Sequence, residues 1–237
     1  MAGELTLRSL YGRIGRTYAG WARPLLPLAA VIFVPLGLVD AIPLSVNLDS
    51  LSLGSGLLAV AVLVAVLALV GTSLVGEVFF SGAVAVALTS GNDGRPSLRE
   101  ISRRLSYGRL IAVDLIYGAL VIAGLVLLFV PGVLVYVWLG LAGPVVEIER
   151  RGVREAFARS ARLVRGRFWL VFAVLVPLEL ASEGVGELAD LLAQGLLGHT
   201  LWADWLAESL SNVVATPFLA VACVLLTVGL MNENESR

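Results

Sequence analysis

The stretch Pro131–Arg167, PGVLVYVWLGLAGPVVEIERRGVREAFARSARLVRGR, decides how this chain is organised. It runs from a Pro-Gly break through an apolar run and a second proline into an acidic-to-basic ramp. An Arg-studded amphipathic stretch follows and feeds the next apolar run at Phe168. That order describes a chain that leaves a membrane, lies on its surface and re-enters it.

Composition agrees. Of the 237 residues, 58% are hydrophobic and 15% charged, against roughly 25% charged in soluble domains. Several apolar runs reach the ~18 residues that a bilayer-spanning helix needs. The expected class is an all-α polytopic membrane protein, a single domain over residues 1–237. All 17 basic residues are arginine, so lysine nucleophiles and Schiff bases are excluded. The single cysteine, Cys223, excludes an internal disulfide, and the single histidine, His199, removes most metal and catalytic-triad schemes. No Walker loop or His-Glu-x-x-His helix is present, and no basic face carries interleaved stacking aromatics. The expectation is a non-enzyme with no cofactor, no metal and no nucleic-acid partner.

Apolar runs place six spans at about 24–43, 57–90, 110–130, 133–146, 168–181 and 213–231. Surface helices are expected at about 5–20, 97–107 and 150–166. Ser97 with Glu100 three residues on forms a capping box. Pro131-Gly132 reads as a reversal, Pro35 as a kink, and 182–212 as a looser acidic region. The run 57–90 is long for one span and carries a candidate break at Gly76-Glu77. Charge counting favours a single helix there. Every Arg lies in the N-terminal segment, 91–109, 147–167 or the tail, and none lies in 44–56 or 182–212. Six spans place all Arg on one face, which the positive-inside rule makes cytoplasmic. The expected location is a bacterial inner membrane, multi-pass, with both termini cytoplasmic. The first 23 residues hold four Arg and no uninterrupted apolar core, so the first span is expected to target the chain. An R-x-x-x-G-R echo recurs at Arg8–Arg13, Arg104–Arg109 and Arg162–Arg167, each ahead of a span.

Two features carry the candidate sites. Between 150 and 167, Val153, Phe157, Ala161 and Val164 form an apolar stripe, opposite Arg151, Arg154, Arg159, Arg162 and Arg165. Arg151–Glu155 and Glu155–Arg159 are at i,i+4 spacing. Such a helix fits the membrane interface, apolar face down, with arginines among anionic lipid phosphates or against a membrane or envelope protein. Plain topology anchoring explains the same pattern. The second feature is the intramembrane acids Glu77 and Asp114, with Glu179 within or near a span. Such acids mark proton or ion paths by default. Asp114 is five residues past Arg109, so local pairing accounts for it, and a long helix would carry Glu77 toward the inner interface. Glu183, Glu187 and Asp190 at helical spacing near His199 are a weaker cation candidate.

The ramp also carries a pattern of its own: Pro144-Val145-Val146-Glu147, Gly152, Ala156-Phe157, Arg159-Ser160, Leu163-Val164, Gly166 and Trp169. This order resembles the YciC-like bacterial integral membrane proteins. It is also similar to the membrane domain attached to some glycerophosphodiester phosphodiesterases. The resemblance implies a helical membrane module without the phosphodiesterase's separate catalytic barrel. The function expected is a non-catalytic module that scaffolds or assists envelope proteins or lipids. A small transporter or channel, proton-linked through Glu77 and Asp114, is the alternative.

Overall fold

A computed structural model describes residues 6–45, 76–89 and 97–235. Among these are nine helices: α1 (Leu7–Ser45), α2 (Glu77–Thr89), α3 (Leu98–Arg104), α4 (Tyr107–Leu127), α5 (Phe129–Leu139), α6 (Ala142–Ile148), α7 (Val153–Arg165), α8 (Phe168–Leu197) and α9 (Leu201–Glu235). Five stretches are long and apolar enough to cross a bilayer: Leu7–Leu38, Tyr107–Leu127, Phe129–Ile148, Phe168–Leu197 and Leu201–Glu235. The protein is an all-α polytopic membrane protein.

The central helix is α9, which packs along α1 and α8 and also meets α2, α6 and α7. Its face of Leu219–Val224, Leu226 and Leu230 meets Leu10, Ile14, Leu25, Ala29 and Phe33 of α1 in one core. Helix α2 is buried from Phe80 to Ala87, as an all-round apolar helix must be when other helices enclose it.

Several boundaries differ from the sequence reading. The N-terminal surface helix and first span are one continuous helix, because Leu10 and Ile14 bury against protein rather than lipid. The reversal between α4 and α5 falls at Leu128, which is extended at φ −163° and ψ 142°. Pro131 then sits in the first turn of α5, where a missing N–H is harmless. Gly132 lets α4 come close: a Cβ on Gly124 would stand 2.8 Å from the Gly132 Cα. The region 182–212 is no loose connection but a helical hairpin turning at Gly198, φ 71°. Its acids carry local side-chain bonds, Gln194 donating to Asp190 and Asn212 to Glu208, each at 2.8 Å. Trp205 donates to the Val34 carbonyl at 2.9 Å and so ties α9 to α1, while Trp202 is exposed.

The largest correction concerns 57–90. Residues 57–75 lie outside the described residues, but an unbroken helix through Gly76 is excluded. Gly76 has φ 100°, and a new helix starts at Glu77. Its 13 residues span about 20 Å, short of the ~30 Å hydrocarbon core.

Contacts gather the Arg-bearing segments at one end of the bundle. The Tyr11 hydroxyl donates to the Ala173 carbonyl at 2.9 Å. Arg167 makes two 3.1 Å bonds to Glu233, joining the start of α8 to the end of α9. The Ser106 N–H donates to Glu147 Oε1 at 2.8 Å, joining the start of α4 to the end of α6. The expected capping box on α3 is formed, with Ser97 and Glu100 bonding reciprocally, and those bonds lower the Glu100 carboxyl below its usual range. The R-x-x-x-G-R echoes differ in setting. Two lie where a short helix gives way to a long apolar one, whereas Arg8–Arg13 is inside α1.

Candidate functional site

Two places hold the candidate residues: the surface helix α7 and the interior around Glu77. Helix α7 buries Ala156, Ser160, Leu163 and Val164 against α5 and α6, and the Ser160 hydroxyl donates to the Trp138 carbonyl at 2.8 Å. Val153 and Phe157 also pack on the protein core. The amphipathic pattern is therefore satisfied by protein, not by lipid acyl chains as expected.

This packing also explains the Pro-Val-Val-Glu ramp. Pro144, Val145 and Val146 form the buried floor under α7. Glu147, 6% exposed, caps α4 through Ser106, and its second oxygen has no partner among the described residues. Arg109 holds the turn before α7, its Nη1 donating to the Arg150 and Arg151 carbonyls at 3.1 and 3.3 Å. Arg150 there is left-handed, φ 56°.

The five arginines of α7 and its approach divide into two groups. Arg151 and Arg159 both donate to Glu149, Arg159 at 2.8 Å, in place of the expected pairing with Glu155. Arg154, Arg162 and Arg165 are exposed. Arg162 bonds only the Ala158 carbonyl of its own helix, and Arg154 and Arg165 make no hydrogen bond or ion pair with the described residues. These three fall within about 80° on the helix, at 100° per residue, with the small Ala158 between Arg154 and Arg162.

Burial acts to raise the Glu149 carboxyl, but the bonds from Arg151 and Arg159 outweigh it and leave it below the usual range. A carboxyl lowered by folding adds stability above its unfolded value, about 4.3, and that stability is lost as pH falls through the lower folded value. Thermal unfolding of the detergent-solubilised chain should lose midpoint over this acid window by more in the wild type than in Glu149→Gln. Parallel pH curves for the two proteins would contradict the assignment.

Asp114 does not pair with Arg109. It is 3% exposed and accepts the Gly76 N–H at 2.6 Å and the Val78 N–H at 3.1 Å. An acid on α4 thus caps α2, taking up orphan donors at the positive end of that helix. Asp114 lies seven residues into α4, about 10 Å from its first residue at 1.5 Å each. Helix α2 therefore starts inside the bundle and runs to the Arg-rich end, where Ala83, Val86 and Ala87 meet Ile101 of α3.

Glu77, half-buried, lies at that inner start rather than at the interface. It lines a cavity of about 20 Å³ with Ser81, Tyr117, Tyr136, Thr216 and Cys223 among its neighbours. Asp114 is not in this lining. The Tyr136 hydroxyl donates to Glu179 Oε2 at 3.0 Å, and Tyr117 reaches the Tyr136 carbonyl at 3.4 Å. The two tyrosines and Thr216 were not singled out in the sequence. Their only signal is a polar group in the middle of an apolar run. Glu183, Glu187, Asp190 and His199 form no metal-holding group among the described residues.

No family model matches the chain, and no curated protein or solved structure matches it.

Proposed function

We propose that this chain is a non-catalytic membrane module that presents the outer face of α7 to anionic lipid headgroups, and through them assists membrane or envelope proteins. The reading includes membership of the YciC-like group, a bacterial inner membrane and cytoplasmic termini. The carrying observation is the row Arg154, Arg162 and Arg165, exposed and without an ion pair among the described residues while Arg109, Arg151, Arg159 and Arg167 are engaged within the fold. Guanidinium forks bond phosphate oxygens in pairs, and each basic residue near an anionic surface contributes about 1 kcal/mol. The one-sided Arg distribution supports the orientation. The cavity beside Glu77 has room for about one water, which speaks against solute passage through it.

The test is lipid retention by the full chain reconstituted in mixed phosphatidylglycerol–phosphatidylcholine vesicles and re-extracted. Mass spectrometry should find phosphatidylglycerol enriched on the wild type. Each of Arg154→Gln, Arg162→Gln and Arg165→Gln should weaken that preference several-fold, about 1 kcal/mol apiece. Equal retention by wild type and the triple variant would overturn the proposal. External labelling of a cysteine placed at Ser97 in intact cells, with Cys223 replaced, would overturn the orientation.

A further inference from the structure

Two interrupted helices meet at one point inside the bundle. Helix α2 begins at Glu77, and α5 passes into α6 at Gly140-Leu141. They approach so closely that a Cβ on Gly143 would press on the Val78 carbonyl oxygen. Broken helices at membrane depth persist only where protein or a polar cavity satisfies the freed groups. Here the cavity of about 20 Å³ lies beside the break, lined by Glu77, Tyr117, Tyr136 and Thr216, with Gly140 in its wall.

Thr216 points to an occupant. It is 5% exposed, lines the cavity, and its hydroxyl has no hydrogen-bond partner among the described residues. A hydroxyl in the wall of a polar cavity takes its partner from a water there, and small polar cavities of this volume hold one water. The charges point the same way. Within electrostatic reach of Glu77 are Glu179 and Glu183 of α8, Asp114 and Tyr117 of α4, Tyr136 of α5 and Cys223 of α9; Tyr117, Tyr136 and Cys223 share its cavity. Helix α6 presents Gly143 there, and the arginines of α3 follow the far end of α2. Among the described residues no arginine forms an ion pair with Glu77, Asp114 or Glu179. Asp114 is balanced by the N–H groups it caps, while Glu77 has neither cap nor counterion among the described residues. Like charges in apolar surroundings without a cation are costly, and a single proton relieves them.

We propose that this chamber is a proton-binding site, with one water held between Glu77 and Thr216 and a proton shared between Glu77 and Glu179 through Tyr136. In the transfer, the Glu77 carboxyl gives its proton to the water, and the water passes one of its own to the Tyr136 oxygen. Tyr136 releases its former proton to Glu179. Glu77 ends as a carboxylate and Glu179 as the acid, with water and tyrosine unchanged. The site is independent of lipid docking at α7.

The test is pH-difference infrared spectroscopy of the full chain in phosphatidylcholine vesicles, in water and deuterium oxide, with helicity and thermal midpoint measured in parallel. A protonated-carboxyl band at neutral pH is expected, lost in Glu77→Gln, shifted in Thr216→Val and in Glu179→Gln, and retained in Asp114→Asn. Absence of the band in the wild type would overturn the site, as would its persistence in Glu77→Gln. Loss only in Asp114→Asn would place the proton elsewhere and also overturn it. An unshifted band in Thr216→Val would remove the bridging water, and with it the proposal.

Discussion

Asp114→Ala is expected to lower the unfolding free energy by about 3 kcal/mol, the range for bonds to a buried charge and their orphaned partners. The side chain is almost wholly buried, and the N–H groups of Gly76, just before α2, and of Val78 in its first turn end on its oxygens at 2.6 and 3.1 Å. Alanine leaves both donors without the acceptor that pairs them. Asp114→Asn keeps one acceptor oxygen and should cost roughly half as much, about the size of an ordinary N-cap loss. Reversible unfolding in mixed micelles, followed by helix content, reads both. If alanine and asparagine cost the same, within about 0.5 kcal/mol, the carboxylate is not acting as a cap.

Gly143→Ala should cost as much or more, about 3 kcal/mol, through overpacking. The added methyl would meet the Val78 carbonyl oxygen and stand 2.5 Å from Ser81 Oγ. The carbonyl belongs to the backbone of α2 and cannot rotate away, so α2 and α6 must separate. Gly166→Ala is the matched control. Nothing lies within 4 Å of its Cβ position and its φ is −81°, so its effect should stay within about 0.5 kcal/mol. A Gly143→Ala protein as stable as the control would show that the two helices are not in fixed contact. Because Gly143 stands beside the chamber wall, the same variant should also alter the Glu77 environment.

The two sites differ in how far residue order alone revealed them. The α7 arginines were found because helical periodicity places side chains on faces, and that depends only on neighbours in sequence. Which arginines remain free was not found. Arg159 turns to Glu149, ten residues back and outside the helix, rather than to Glu155 one turn away. Inside the membrane, Glu77, Asp114 and Glu179 stand out at once as acids in apolar runs. Their separation into a cap and a cavity group was hidden, because it depends on helices that meet only when folded.

Composition, apolar run length and local pattern thus settled the class of protein, the helix between two long apolar stretches and the capping box on α3. Each follows from free energies local in the chain: transfer of a side chain into lipid, or a bond across one helical turn. Only the tertiary structure decided that the run 57–90 breaks at Gly76, because its excuse lies elsewhere. A helix start inside a bilayer needs acceptors for its orphan N–H groups, and the acceptor is Asp114, 38 residues further on. Charge counting over connections cannot register such a partner, since a half-helix that starts mid-membrane moves no charge from one side to the other.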